Sequence, residues 1–491
     1  MSRVEVTRSE HRLTHDPRRV IAKPYLPGEE VIPGGDSRSG LLMQRVLAIP
    51  EAEVATLLDR VISSFATRHR RYLELLEEHH ALVAHHIGRG TSISRERRLL
   101  IGAYFSHEYS VEGAALLNPS IVLTADRSGC GPGQRRFVMS LRAVGEGHIS
   151  SIEFRSGIID GAGELTFDPA GETLVTGQRA APAWYGKEQF QAKLHELGAD
   201  NGLTRRILDR LEPRFTRPQL EGALAWLEEN GPSQVISHET IKMVRMLAAS
   251  SYLTTFPADS QLSERVIFPA GPHETRGMED ARFVHFTEQD GSARYYATYT
   301  AFDGFEILPQ LIETEDFLTF GVSTLHGAAA QNKGMALFPR PVGGRYTMLS
   351  RKDRENLYLT TSDDVRVWNE TRELYRPSAP WELLQIGNCG SPLETEAGWL
   401  VLTHGVGPMR TYAIGAILLD LEDPGRVIGR LSQPLLTADA TEREGYVPNV
   451  VYSCGGVIHA DQLVIPYGFS DYGVAVARCA LPELLAELRA S

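Results

Sequence analysis

An acidic pair stands between two arginines in the segment RGMEDARF, residues 276–283. Glu279 and Asp280 come just before an apolar run with β-strand alternation, so one carboxylate should face the interior of the fold and the other should not. Arg276 and Arg282 lie close in sequence, and a carboxylic acid among cations can have its pKa tuned for proton transfer. The pattern indicates that one member of this pair is a catalytic acid.

Basic side chains stand at the ends of several strand-like runs. Lys333 lies in NKGMALFPRP, and Arg351 ends the run YTMLSR. With Arg142 and His404 they could form an anion pocket, because arginine and lysine bind phosphate through charge-assisted hydrogen bonds. The alternative is that each one pairs with a structural carboxylate, and these residues alone leave both interpretations open.

The histidines and cysteines do not form a recognisable metal site. His79, His80, His85 and His86 follow one another at about helical spacing in EEHHALVAHH, but no cysteine or well-spaced carboxylate completes a zinc ligand set. A solvated helical face is the interpretation we favour. The four cysteines are scattered without a CxxC pair, so we expect four free thiols and no bound metal.

Five segments repeat one pattern of two short strands joined by a tight turn. The last four recur about every 50 to 65 residues, near the blade length of β-propellers. We therefore expect an all-β core folded as a five-bladed β-propeller, with a β-sandwich as the alternative. The segments are residues 136–157, 294–317, 345–368, 399–424 and 462–484.

Aligning the repeats places one polar residue at the end of the corresponding strand in most of them. If that strand is equivalent in each blade, these side chains converge on one mouth of a central channel. Convergent polar groups in a concavity are typical of a ligand site. The aligned residues are Arg142, Thr300, Arg351, His404 and Tyr467.

Two blocks of helical periodicity accompany the strands. In the first block, Val54, Leu58 and Ile62 fall on one apolar stripe with charged residues opposite. The predicted divisions are a largely helical N-terminal extension at 1–104, propeller blade one at 105–187, a helical insertion at 188–249 and propeller blades two to five at 250–491.

Composition limits the partners of this chain. The formal net charge is -12 and the sequence pI is about 5.8. The overall electrostatic field would therefore not attract nucleic acid or an anionic membrane surface. The N-terminal residues lack the apolar region of a secretion signal, and we expect a cytoplasmic location. The apolar stripes of the helical blocks would suit either a cover over the site or a homo-oligomer contact.

Taken in order, the motifs resemble glycoside hydrolase family 130, a family of five-bladed propeller enzymes that includes β-mannoside phosphorylases and β-mannosidases. The resemblance covers roughly residues 110–485 and is interrupted by the helical insertion. Each motif is weak alone, whereas the combination is specific. The motifs are NPSIV with SLRA, GMEDARF with YYATYTAFDG, KGMALFP with YTMLSR, IGNCGSPLETEAGWLVLTHGVG, and YVPNVVYSCG with IPYGFSD.

The resemblance implies a role for individual residues. The family motif Gly-x-Glu-Asp-Pro-Arg reads GMEDAR here, which assigns the catalytic acid to Asp280 with Ala281 in place of proline. Gln385 stands where phosphorylases of the family commonly have a lysine, so the anion site has one cation fewer. Phosphate binding is assigned to Lys333, Arg351, His404 and Gln385, and substrate binding to Asn118, Arg142, Arg282, Asp303 and Asp471.

The favoured function is therefore an inverting β-mannoside phosphorylase, which converts short β-mannosides and inorganic phosphate to mannose 1-phosphate and a shortened acceptor. One alternative is an inverting β-mannosidase, with Glu146, Asp303 or Asp471 as the base that activates water. Another is a non-catalytic propeller that binds sugars or a protein. No cofactor is expected beyond phosphate as co-substrate, and the linkage and acceptor stay open.

Overall fold

A computed structural model of the chain describes residues 4–28, 37–88, 90–231 and 234–490. The chain forms two compact units, which we call the strand unit and the helical unit. The strand unit comprises Met1–His15, Ala114–Ala170 and Gly177–Ser491. The helical unit comprises Asp16–Gly113 and Gly171–Thr176.

The helical unit packs its apolar stripe inward, and Val54 and Leu58 are buried as the periodicity predicts. His79 departs from the predicted solvated face, because its ring is buried and its Nδ1 lies 2.6 Å from Ser106 Oγ. Burial lowers the pKa of His79 to about 4. The elements of this unit are helices Arg38–Leu47, Glu51–Phe65, Tyr72–Val83 and Arg95–Tyr104 and the paired strands Val20–Pro24 and Ser106–Ser110.

The largest sheet of the strand unit contains two antiparallel runs, which meet where Gly277 pairs in parallel with Ser150. The first run consists of Ala115–Leu123, Arg135–Val144 and Ser150–Ile159. The second run consists of Gly277–Thr287, Ala293–Phe302, Ile307–Thr314, Thr319–Thr324 and Tyr252–Thr255. Short strands extend these runs at Leu165–Phe167, Arg265–Ile267 and Gln178–Ala180.

Besides a two-stranded pair formed by Tyr185–Gly186 and Arg214–Phe215, the strand unit contains three further antiparallel sheets. We number them third to fifth, after the two runs. The third sheet consists of Ala336–Leu337, Tyr346–Ser350, Leu357–Ser362 and Glu370–Tyr375. The fourth consists of Gln385–Asn388, Leu393–Thr395, Gly398–Val406, Tyr412–Leu419, Val427–Arg430 and Leu436–Thr437. The fifth consists of Thr7–Thr14, Val451–Tyr452, Val457–His459, Gln462–Phe469 and Gly473–Ala480.

Many of these strands have both faces covered, and their sequences are accordingly apolar almost throughout. All nine residues of Gly398–Val406 are buried, for example. Each of the five predicted repeats contributes strands to one of the runs or sheets. The pairing confirms a core rich in β-structure, while closure into a five-bladed propeller stays a prediction.

The strand Thr7–Thr14 lies far in sequence from the strand it pairs with. Thr7 is opposite Arg478 and Thr14 is opposite Gly473. The carboxylate of Glu442 is fully buried and accepts hydrogen bonds from Arg12 Nη1 at 2.7 Å and from the Tyr467 hydroxyl at 2.6 Å. This charge-assisted contact attaches the N-terminal strand to the last repeat, and the sequence patterns did not identify it.

In the sequence, four helices lie between the strands of the first run and those of the second. They have a hydrophobic core of their own, which includes Phe190, Leu220 and Val244. Asn201 caps one helix, and Thr216 forms a capping box with Gln219 at another. No helix among the described residues is long and apolar enough to cross a membrane. The helices are Lys187–Glu196, Gly202–Leu208, Arg217–Asn230 and Gln234–Ala249, and Leu481–Ala490 ends the chain.

The junction between the two runs generates a stability prediction. Gly277 has φ +125°, and an added Cβ would lie 2.5 Å from the backbone nitrogen of Ser150. We expect Gly277→Ala to lower the free energy of unfolding by about 3 kcal/mol, through strain and overpacking together. Gly291→Ala is the matched control, because Gly291 has φ +83° with no atom near the added Cβ and should cost only about 1 kcal/mol. Chemical denaturation checks this, and equal losses would contradict it.

Candidate active site

A cavity of about 380 Å³ in the strand unit contains most of the residues selected from the sequence. We call it the site cavity. Its wall comes from strand ends and turns of all five repeats, so residues distant in sequence meet there. The lining residues are Asn118, Arg142, Asp280, Ile307, Asn332, Lys333, Arg351, Arg354, Gln385, Arg410, Tyr412, Val447, Val450, Tyr452 and Asp471.

Irregular backbone brings the polar side chains to this wall. The pairing register shifts between Leu117 and Ser120 on one strand and between Glu279 and Arg282 on another. Such bulges redirect a side chain and are common beside active sites. The bulged residues have left-handed backbone, with φ 50° at Asn118 and φ 57° at Asp280, and Asp471 has φ 51°. Non-glycine residues adopt this conformation at a cost, which is typical of functional positions.

The carboxylate of Asp280 is buried and held through one of its oxygens. Oδ1 accepts hydrogen bonds from Asn118 Nδ2 at 2.6 Å and from Arg142 Nη1 at 3.3 Å. Burial by itself would raise the pKa of this carboxyl, but the charges of Arg142, Arg282 and Lys333 outweigh burial and lower the pKa to about 2. Oδ2 accepts no hydrogen bond from the described residues, so it is the oxygen available to a ligand.

Glu279 does not line the site cavity and instead joins two cations that do. Its Oε1 accepts from Arg142 Nη2 at 2.8 Å, and its Oε2 accepts from Lys333 Nζ at 2.5 Å. The neighbouring carboxylates of the ED pair therefore have different environments. Glu279 fixes the positions of Arg142 and Lys333, whereas Asp280 faces the cavity.

Arg351 lines this wall and, like Arg354 and Arg410, has no ion pair with a carboxylate among the described residues. Its Nη1 donates to His404 Nε2 at 3.0 Å, and among the described residues no carboxylate lies within ion-pair distance of it. Burial lowers the pKa of His404 well below its ordinary value, so the imidazole is neutral and orients Arg351 without adding charge. Gln385 begins its strand at the same wall and offers an uncharged amide.

Asp471 also lines the site cavity, in a different electrostatic environment from Asp280. Burial raises the pKa of this carboxyl, the charge of Asp280 adds to the effect, and Arg142 opposes it. The cavity therefore holds two carboxylates whose pKa values are shifted in opposite directions. Such a pair suits distinct protonation roles.

Two residues assigned to substrate binding lie elsewhere. Arg282 is almost fully buried, and its guanidinium donates to the backbone oxygens of Asp280 and Cys389 at 2.7 and 2.9 Å and to the Tyr452 hydroxyl at 2.8 Å. It supports the wall and does not line the cavity. Asp303 lies in the turn after Ala293–Phe302, with its Oδ1 accepting from backbone nitrogens, and is likewise absent from the lining.

The aligned repeat positions divide in a similar way. Arg142 and Arg351 line the site cavity, whereas Thr300, His404 and Tyr467 do not. Sequence reasoning also missed several lining residues, some in loops, such as Arg354 and Arg410, and others at strand ends, such as Tyr412. Asn332 has left-handed backbone, with φ 61°. Asparagine adopts this conformation more readily than most residues, so its residue type was a signal that the sequence offered. The missed residues are Ile307, Asn332, Arg354, Arg410, Tyr412, Val447, Val450 and Tyr452.

The opposite pKa shifts predict opposite effects of pH on stability. The lowered pKa of Asp280 stabilises the fold above the unfolded pKa of about 4, and this stabilisation, about 2 kcal/mol, disappears as pH falls toward 2. Asp280→Asn should therefore flatten the acid limb of the stability curve.

The raised pKa of Asp471 means that ionisation of this carboxyl destabilises the fold. Asp471→Asn should therefore be more stable than wild type near pH 7, and the difference in the free energy of unfolding should shrink as pH falls.

Chemical denaturation from pH 7 to pH 3 checks both variants. Curves that shift in the same direction for the two substitutions would contradict the assignment of the charges.

Comparison with known proteins places these residues in a family. A family model described as beta-1,4-mannooligosaccharide phosphorylase matches residues 256–489. A 1,2-beta-oligomannan phosphorylase of Thermoanaerobacter sp. (strain X514) is 35% identical over 232 residues, which cover 46% of this chain and 75% of that relative. A beta-1,4-mannooligosaccharide phosphorylase of Ruminococcus albus is 31% identical over 204 residues, 39% of this chain and 61% of the relative.

Solved structures are similar over a larger share of the chain at lower identity. The complex of beta-1,2-mannobiose phosphorylase from Listeria innocua with beta-1,2-mannobiose has a TM-score of 0.45 and is 21% identical, and the match covers 78% of this chain and 94% of that one. The sequence matches are the stronger relation, because identity above 30% extends over three quarters of the oligomannan phosphorylase. The chain belongs to glycoside hydrolase family 130, whose members are glycoside phosphorylases and glycoside hydrolases.

Proposed function

We propose that this protein is an inverting β-mannoside phosphorylase, which transfers the mannosyl group of a short β-mannoside to inorganic phosphate. The observation that carries the proposal is the combination, in one cavity, of a carboxylate with a free oxygen and a cation without a carboxylate partner. Asp280 supplies the first and Arg351 the second. The relatives, which include phosphorylases of β-1,2- and β-1,4-linked mannosides, support the same reaction class.

The anion is assigned to the part of the wall around Arg351. Lys333 and Gln385 line the same cavity, and the neutral ring of His404 orients the Arg351 guanidinium. A phosphate there would receive charge-assisted hydrogen bonds from Arg351 and a neutral one from Gln385. Lys333 contributes less charge than the sequence suggests, because Glu279 already pairs with it.

Asp280 is assigned as the general acid. The carboxyl is ionised in the free protein, so it must gain a proton before it can donate one. An anion bound beside Arg351 would offset part of the positive charge that lowers this pKa, which favours the protonated acid when both substrates are present. Asn118 and Arg142 hold Oδ1, so the proton would be carried on Oδ2, toward the mannosyl unit.

The proposed reaction transfers the mannosyl group from the acceptor oxygen to phosphate and needs no further reactant. A phosphate oxygen forms a bond to the anomeric carbon from one face while the bond from that carbon to the acceptor oxygen breaks on the other. The proton on Asp280 goes to the leaving acceptor oxygen, in the family mechanism by way of the mannosyl 3-hydroxyl. The products are mannose 1-phosphate of inverted configuration and an acceptor shortened by one mannosyl unit.

A second candidate function is the inverting β-mannosidase, and Asp471 is the observation that favours it. Of the three candidate bases, Glu146 and Asp303 are absent from the cavity lining, whereas Asp471 lines it and has a raised pKa. A carboxyl with a pKa nearer neutrality is a better general base for activating water. In this alternative Asp471 takes the proton of the attacking water and Asp280 keeps the role of acid.

We further propose that the strand unit closes as a five-bladed propeller around the site cavity. Support comes from a second cavity of about 430 Å³, which is lined by the segments that immediately precede each of the five repeats. Its lining residues fall at 121–125, 135, 283–285, 287, 339–340, 391–394 and 455–457. The helical insertion at 188–249, the blade boundaries and the cytoplasmic location stay predictions.

The reaction is tested by incubating the full chain with β-1,2- and β-1,4-mannobiose, with and without inorganic phosphate. A phosphorylase gives mannose 1-phosphate only when phosphate is present, whereas a hydrolase gives mannose under both conditions. Absence of turnover on a wider panel of β-mannosides would overturn both assignments.

Substitution of the acidic pair tests the catalytic acid. We expect Asp280→Asn to lower turnover by about 10²- to 10⁴-fold, because a positioned acid contributes that much and an amide cannot donate this proton. Glu279→Gln should lower turnover less and reduce thermal stability, since Arg142 and Lys333 lose a shared partner. Turnover and melting curves of both variants check this. Near wild-type turnover in Asp280→Asn would reassign the acid.

Arg351→Ala tests the anion site. We expect the KM for phosphate to rise at least tenfold while the KM for the mannoside changes little, because a charge-assisted contact to phosphate is lost and the mannosyl contacts remain. Arg354→Ala is the matched control, since Arg354 lines the same cavity but its Nε donates to Asn332 at 3.1 Å. If Arg354→Ala raises the KM for phosphate and Arg351→Ala does not, the anion site is misplaced.

A further inference from the structure

A histidine and two carboxylates converge at a turn beside the site cavity. His273 belongs to the short helical turn Pro272–Glu274, and Asp303 and Glu306 flank the turn between Ala293–Phe302 and Ile307–Thr314. One nitrogen or oxygen atom from each of the three side chains lies within 4.8 Å of the other two. These are ligand types that zinc accepts.

The buried imidazole has a nitrogen that the protein itself does not satisfy. His273 is only 4% exposed, and among the described residues its Nδ1 has no hydrogen-bond partner. Asp303 Oδ2 lies 3.6 Å from this nitrogen, too far for a hydrogen bond. Leaving a buried polar atom without a hydrogen-bond partner costs about 1–3 kcal/mol. A ligand that binds this nitrogen would remove that cost.

The spacing of the two atoms fits a shared metal ion. Bonds of about 2.0–2.2 Å in tetrahedral geometry place two ligand atoms about 3.3–3.6 Å apart. The separation of 3.6 Å between His273 Nδ1 and Asp303 Oδ2 lies at the upper end of this range. The two atoms are therefore too far apart for a direct hydrogen bond but at a suitable distance to bind the same cation.

The surrounding contacts hold both ligands in place. Asp303 Oδ1 accepts from the backbone nitrogens of Phe305 and Glu306 at 2.8 and 2.7 Å, which leaves Oδ2 directed toward His273. The adjacent Glu274 accepts from the backbone nitrogens of Ala270 and Gly271, both at 2.7 Å, and fixes the turn that carries His273. Such supporting hydrogen bonds are usual around metal ligands.

We propose that His273 Nδ1, Asp303 Oδ2 and a Glu306 carboxylate oxygen bind a divalent cation of the zinc class, with water at the fourth position. Magnesium and calcium prefer all-oxygen sites with six or more ligands, so the imidazole selects against them. The site is independent of the proposed reaction. Ile307, next to Glu306, lines the site cavity, so the bound ion would fix the edge of that cavity.

Zinc titration of the chelator-treated full chain, followed by calorimetry and by melting temperature, tests the site. We expect one zinc ion per chain, a higher melting temperature with zinc, and no comparable effect of magnesium. His273→Gln and Glu306→Gln should each weaken zinc binding at least tenfold. Glu306 is exposed, so its variant remains informative if loss of the buried histidine impairs folding.

The double variant His85→Gln/His86→Gln is the matched control, because these neighbouring histidines of the helical unit could bind zinc adventitiously. Binding that survives in this control and is weakened in Glu306→Gln supports the proposal. Absence of zinc binding in wild type, or binding that Glu306→Gln leaves unchanged, overturns it. Loss of binding in the histidine double variant overturns it as well.

Discussion

The site depends on keeping one carboxylate charged after its removal from water. Burial of Asp280 favours the neutral acid, and only the surrounding positive charge and the hydrogen bond from Asn118 reverse this preference. Those groups come from segments that are distant in sequence, so the charge is stable only once these segments have assembled. Arg282 reinforces the dependence, because a single guanidinium bonds to the backbone of two segments and to Tyr452 in a third. Electrostatics and tertiary structure are therefore inseparable at this cavity.

Left-handed backbone at Asn118, Asp280 and Asp471 is the conformational cost of the arrangement. A regular strand places neighbouring side chains on opposite faces, so Asp280 and Glu279 could not both contact Arg142. The bulge solves this problem locally, and the extensive pairing on either side holds the unfavourable backbone in place. Part of the stability of the β-rich core is thus used to maintain the geometry of the wall.

Sequence reasoning located the residues of the site cavity better than the directions of the side chains. The motif GMEDAR selected Asp280 and the polar strand ends selected Arg142 and Arg351, and all three line the cavity, because residue type and repeat position carry that information. Arg282 was assigned to substrate binding from the family resemblance, and its buried position outside the cavity lining could not be read from residue type, because a bulge separates it from Asp280. Turn residues such as Arg410 were missed because a turn has no periodicity to align. The N-terminal strand was missed because its partner, Gly473–Ala480, lies at the other end of the chain.

That N-terminal strand also protects the edge of the fifth sheet. Gly473–Ala480 is mostly buried and rich in valine and alanine, and Thr7–Thr14 covers its open side with a polar sequence. Without this cover, a long apolar edge would present unpaired backbone groups to other molecules, which is a recognised route to aggregation. During synthesis the protecting strand is made long before its partner, because several hundred residues separate Thr7–Thr14 from Gly473–Ala480. We therefore expect the solubility of the newly made protein to depend on the polar residues of Thr7–Thr14.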